Sequence, residues 1–125
     1  MKKKNVYIKK KLFIVILAIK VSLKTLIISA TDLFGNVIFW SSLGKTKLRG
    51  IKKKSFYAVQ QTINLVKEKL MLYKNKDIIL TFSGNGSADN VIVKELKFAN
   101  FNIIKIIRKY SIAYNGCRLP KKRKK

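Results

Sequence analysis

Three stretches of this chain cannot fold against themselves. Residues 1–11 carry Lys2, Lys3, Lys4, Lys9, Lys10 and Lys11, and residues 45–54 carry Lys45, Lys47, Arg49, Lys52, Lys53 and Lys54. Residues 118–125 add Arg118, Lys121, Lys122, Arg123, Lys124 and Lys125, and none of the three stretches contains an acid. Blocks of like charge repel one another and order on phosphate backbones. A solubilising surface usually mixes both signs, so polyphosphate binding is the better reading. The whole chain has 29 Lys and Arg against 5 Asp and Glu, a formal charge of +24, and a lone globule at that charge repels itself without a polyanionic partner. The rest of the chain can still build a core, because 48% of its 125 residues are apolar. One domain is the natural size.

Absences remove most enzyme classes. There is no His, which excludes imidazole acid–base chemistry, Ser–His–Asp triads and His metal sites. Cys117 is the only Cys, so neither an internal disulfide nor a cysteine zinc cluster can form. With no base nearby in sequence to activate it, it reads as a small, partly buried residue at a turn. The acids are Asp32, Glu68, Asp77, Asp89 and Glu95, too scattered for the converging carboxylates of two-metal chemistry. No metal or cofactor is implied.

The N-terminus looks like a positive leader before a short apolar run, 12–19. Crossing a bilayer takes about 20 apolar residues. Extending the run to Ala30 takes in Lys20 and Lys24, each costing roughly 2.5–3.5 kcal/mol near a membrane centre. The run is read as a buried strand behind a basic leader, with no export or import signal.

Residues 12–42 are rich in Ile, Val, Leu, Phe and Thr. Turn signals near Lys24 and at 32–36 divide them into strands 12–22, 26–31 and 37–42, an antiparallel meander with Gly35-Asn36 in the second turn. Gly44 and Gly50 bracket a basic loop. Ser55 can cap a helix to Tyr73, with Val59, Ile63, Val66, Leu70 and Tyr73 on one face and Asn75 ending it. Residues 77–82 read as a buried strand. Ser87 can cap a second helix to Ala99, with Ala88, Ile92, Leu96 and Ala99 as its stripe. A last strand follows over 101–108. The order βββαβαβ is an α/β domain with a mixed five-stranded sheet and two helices. The organisation is a basic extension 1–11, a domain 12–109 and a basic tail 110–125.

Two features have bland and functional readings. Gly84 and Gly86 could cradle a phosphate, but the loop lacks the Gly-Lys-Ser/Thr ending of a P-loop and the third Gly of a dinucleotide fingerprint. A plain strand-to-helix turn is preferred. Phe39 and Trp40 must point to opposite faces of their strand. One joins the core and the other is free to meet a helix, a partner or a base.

Thr31-Asp32-Leu33-Phe34-Gly35-Asn36, Trp40-Ser41-Ser42, Arg49-Gly50, Lys52-Lys53, Ala58 and Gln60 together resemble the small-subunit ribosomal protein eleven family. The ending Tyr114-Asn115-Gly116-Cys117-Arg118-Leu119-Pro120-Lys121-Lys122-Arg123 is similar to that family's HNGCRPPKKRR tail. The likeness runs from about Ile16 to the C-terminus. Tyr114 stands for the family's His, Leu119 for the first Pro of its pair, and Phe56 for the Pro that opens its first helix. The family's GPGPGRE loop is replaced by 83–89, with Ala88 in place of its Arg.

The resemblance implies an RNase H-like domain without nuclease chemistry, a structural constituent of the small ribosomal subunit. It implies binding to small-subunit ribosomal RNA on the platform, near the messenger RNA exit path, beside proteins six, eighteen and seven. Neither a membrane nor a second copy of the chain is an expected partner. The RNA-binding residues are then Lys45, Lys47, Arg49, Lys52, Lys53, Lys54, Asn115, Gly116, Arg118, Lys121, Lys122, Arg123, Lys124 and Lys125, with Asn115-Gly116 directing the tail. Drift from the motif and heavy use of Ile, Lys and Asn suit an organelle-encoded member: mitochondrion first, then plastid, then the cytoplasm of an AT-rich bacterium. An RNase H-like nucleic-acid-processing protein and a basic membrane-surface protein are the alternatives.

Overall fold

The computed structural model describes residues 14–46, 56–73, 77–84 and 88–124. Alternation of apolar and smaller side chains makes Val15–Val21 (β1), Leu26–Thr31 (β2) and Val37–Ser42 (β3) half-buried strands. The three pair antiparallel as a meander. Helix Phe56–Leu72 (α1) leads to Asp77–Gly84 (β4), and helix Asp89–Phe98 (α2) leads to Asn102–Lys109 (β5). The sheet order is β3-β2-β1-β4-β5, with β4 parallel to both β1 and β5. This is the mixed RNase H-like arrangement anticipated above.

One face of the sheet holds the core. Val15, Leu17, Ile19 and Val21 of β1 lie beside Leu26, Ile28 and Ala30 of β2 and Ile78, Leu80 and Phe82 of β4. Ala58, Ile63, Val66 and Leu70 of α1 and Ile92 and Leu96 of α2 complete the cluster. Each of its Val, Leu, Ile and Phe side chains contributes about 1.5–3 kcal/mol on full burial. The α1 stripe includes Ala58 and Thr62 at its centre, leaving Val59 and Tyr73 at its half-buried edge. Thr62 is tolerated there because its hydroxyl donates to the Ala58 carbonyl (2.9 Å). Glu95 joins the helices: its carboxylate accepts from Lys67 Nζ at 2.9 Å and Gln60 Nε2 at 3.2 Å. Hydrogen bonding to Lys67 is the main reason its carboxyl is held below the ordinary value; Lys67's charge and Gln60 add to this and burial opposes it.

Boundaries differ from the sequence expectations at several points. β1 begins at Val15, β4 runs on to Gly84, and a short 3-10 helix, Leu43–Thr46, opens the basic stretch. Gly35 alone takes positive φ (+90°) in the β2–β3 turn. Asn36 has a different part: its backbone and side-chain N–H groups donate to the Asp32 carboxylate, and Phe34 N–H adds a third bond. Those donors, Asn36 first, hold the Asp32 carboxyl below its usual value. The N-cap of α2 is Ala88 rather than Ser87, with no side-chain cap, so Asp89 in the first turn supplies the favourable charge instead. Ser55, Asn75, Gly86 and Ser87 lie outside the described residues.

Candidate nucleic-acid interface

At the end of β3 the chain turns into the 3-10 helix and brings Lys45 back over Trp40. Lys45 Nζ donates to the Trp40 carbonyl at 2.9 Å and sits 3.7 Å from the ring centroid, a cation–π contact. Lys69 of α1 donates to the same carbonyl at 3.3 Å. Phe39 points the other way, stacking on Tyr73 with ring centroids 6.0 Å apart. Phe39 is therefore the core residue of the pair, and Trp40 remains 51% exposed on the opposite face. Of the expected RNA ligands in this stretch, Lys45 is thus anchored on the domain. Lys47, Arg49, Lys52, Lys53 and Lys54 lie outside the described residues.

The second basic element leaves the end of β5. Residues 110–124 contain neither helix nor strand, and their side chains are exposed. Asn115 (φ 66°) and Gly116 (φ +26°) are consecutive left-handed residues, which bend the chain just before Arg118. Asn tolerates that region and Gly has no Cβ to oppose it, so this pair suits the bend. Beyond it Arg118, Lys121, Lys122, Arg123 and Lys124 project into solvent; Lys125 lies outside the described residues. Cys117 is exposed too, not partly buried, because this segment has left the sheet and no described element packs over it.

Four of the five carboxylates are committed to partners within the domain. Asp32 closes a hairpin, Asp77 accepts from Asn102 Nδ2 at 3.1 Å, Asp89 pairs with Arg108 and Glu95 with Lys67, while Glu68 lies on an exposed helix surface. Among the described residues no three potential metal ligands gather. Gly84 has a packing role: at φ +82° it pairs with Val21, and a Cβ there would stand 2.0 Å from the Val21 carbonyl oxygen. That requirement accounts for this glycine without a phosphate. No described helix is long and apolar enough to cross a membrane.

The sequence reading missed one structural device near the site. Asn100 takes φ 61°, with Asn100 N–H on the Lys97 carbonyl and Phe101 N–H on the Leu96 carbonyl. This is a Schellman motif, sealed by buried Leu96 and Phe101. It turns the chain from α2 into β5 and so fixes where the tail departs. An Asn followed by a large apolar residue at the end of a helical pattern was the available signal.

A family model described as ribosomal protein S11 matches residues 15–124. The chain is 32% identical to the small ribosomal subunit protein uS11m of Chondrus crispus over 111 residues, 89% of this chain and 94% of that protein. It is 34% identical to uS11 of Rickettsia canadensis over 116 residues, 93% of this chain and 91% of that protein. The Rickettsia africae protein matches at the same identity and coverage.

Proposed function

This chain belongs to the ribosomal protein S11 family, whose members have a structural role in the small ribosomal subunit, and we propose that it binds the small-subunit ribosomal RNA there through its basic tail. The carrying observation is the geometry of residues 115–124. Two left-handed residues bend the chain just before five exposed cations, and no described ion pair engages any of them. Lysines and arginines in such a segment gain from phosphates by releasing counterions. Lys47, Arg49, Lys52, Lys53, Lys54 and Lys125 act in the same way, while Lys45 contributes its charge from its seat on Trp40.

The finer placement follows the family resemblance. The chain sits on the platform of the small subunit near the messenger RNA exit path, with proteins six, eighteen and seven as neighbours. The role is structural and not catalytic. Supporting that reading, four of the five carboxylates already engage separate partners within the domain. The compartment we favour is the mitochondrion. Its support is the uS11m relative, together with a composition rich in Ile, Lys and Asn; the bacterial relatives make bacterial cytoplasm the alternative.

The test is sedimentation of the tagged full chain from its own cells on a gradient. Co-migration with the small subunit, lost when residues 118–125 are deleted, is the expected result. Migration free of subunits by the intact chain would overturn the reading.

A further inference from the structure

Both helices pack on one face of the sheet, and among the described residues no element covers the other. Strand register lays that open face out in three rows. The first is Val37, Thr31, Ile16, Ile79 and Lys105; the second is Trp40, Ser29, Ala18, Thr81 and Ile107; the third is Ser42, Ile27, Lys20, Ser83 and Lys109. Trp40 stands at one end of the middle row, beside Ile27, which is 40% exposed.

We propose that this open face is a second RNA site, on which an unpaired nucleotide of the RNA stacks against Trp40 at one edge of the sheet while Lys20 on β1 and Lys105 and Lys109 at the far edge take phosphates further along the same single strand. The inference rests on the RNA-binding reading above but uses a different surface from the tail. Charge complementarity selects the occupant. Among the described residues the three rows hold the exposed cations Lys20, Lys105 and Lys109, and the acid Asp77 at a corner is already bonded to Asn102. An apolar protein partner would bury those three lysines unpaired, which is costly. A single-stranded polyanion with planar bases meets both the charge and the aromatic surface. The ring is also prepared for stacking. Lys45 lies over one of its faces and is held by the Trp40 carbonyl, so the exposure that remains belongs to the other face and the edges. A base on that face would form a three-layer stack with the ammonium beneath.

Trp40 is the only tryptophan in the chain, so its emission reports this site alone. The full chain is titrated with a short oligouridine, following Trp40 fluorescence and, separately, the anisotropy of labelled RNA. The expected result is quenching that saturates with binding, and a loss of affinity of roughly 5- to 150-fold in Trp40→Ala, largely recovered in Trp40→Phe. A Lys20→Gln, Lys105→Gln, Lys109→Gln variant keeps the ring and should lower the salt slope of log K by about 2. This second variant changes only exposed side chains, so it serves if Trp40→Ala is poorly folded. RNA binding by anisotropy with no quenching and no effect of Trp40→Ala overturns the sheet site while leaving the tail reading intact. Equal quenching by duplex RNA overturns stacking. Absence of any RNA binding overturns both readings.

Discussion

Single residues at bends and helix contacts control how the basic segments leave this domain. At Gly116 the backbone lies at φ +26°, and a Cβ there would meet only Ala113 at an ordinary 3.6 Å. The cost of Gly116→Val is therefore conformational and local. That variant should keep the thermal midpoint of the isolated protein and lose incorporation into small subunits; normal incorporation would show that the bend does not direct the tail. Gly84 is the opposite case. Its Cβ would collide with Val21 backbone in the sheet, so Gly84→Ala should destabilise by at least about 1–3 kcal/mol, measured by denaturant unfolding. Glu95, like Asp32, makes stability depend on pH. Its folded carboxyl lies below its unfolded value because of Lys67, so the unfolded chain takes up the proton first as pH falls. The stabilisation is present above the unfolded value and disappears as pH drops through the folded one. Glu95→Gln should cost about 1 kcal/mol at neutral pH, and the gap from wild type should close as pH falls through the lowered folded value of this carboxyl.

Elements were legible in the sequence wherever burial imposes a period. Alternating Val15, Leu17, Ile19 and Val21, and the helical spacing of Ile63, Val66 and Leu70, made strands and helices readable because one face of each is buried. Their ends were less so. α2 starts at Asp89 behind an Ala88 N-cap that has no capping side chain, and β4 extends through Gly84 because a glycine there fits against Val21; neither depends on periodicity. Which of Phe39 and Trp40 enters the core was also hidden. The choice is set by register, Phe39 opposite Ala30 and Trp40 opposite Ser29, and register is a property of two strands together. The tail was legible as a charge block, whereas the seat of Lys45 on Trp40 was not, since it depends on a 3-10 turn closing over the strand end. At this scale the expectation is that deleting residues 118–125 leaves the unfolding midpoint nearly unchanged, because the described part of that segment contributes nothing to the core. A large drop in the midpoint would place part of the core beyond β5.

For the whole molecule, charge and core divide the work. A five-stranded sheet covered on one face supplies stability, and the net charge of +24 supplies attraction to a polyanion without base sequence being read. The tail leaves from β5, the strand at one edge of the sheet, and in the proposed arrangement one RNA meets both the open sheet face and the tail. The central claim is that the tail holds RNA by charge. The most direct measurement is the affinity of the full chain for its small-subunit ribosomal RNA across a salt series. It is made beside a variant with Arg118, Lys121, Lys122, Arg123, Lys124 and Lys125 all changed to Gln. Log K of wild type should fall linearly with log salt, by about 0.7 to 0.9 for each phosphate neutralised, and the variant should bind more weakly with a clearly shallower slope. Equal slopes for the two proteins would contradict the account.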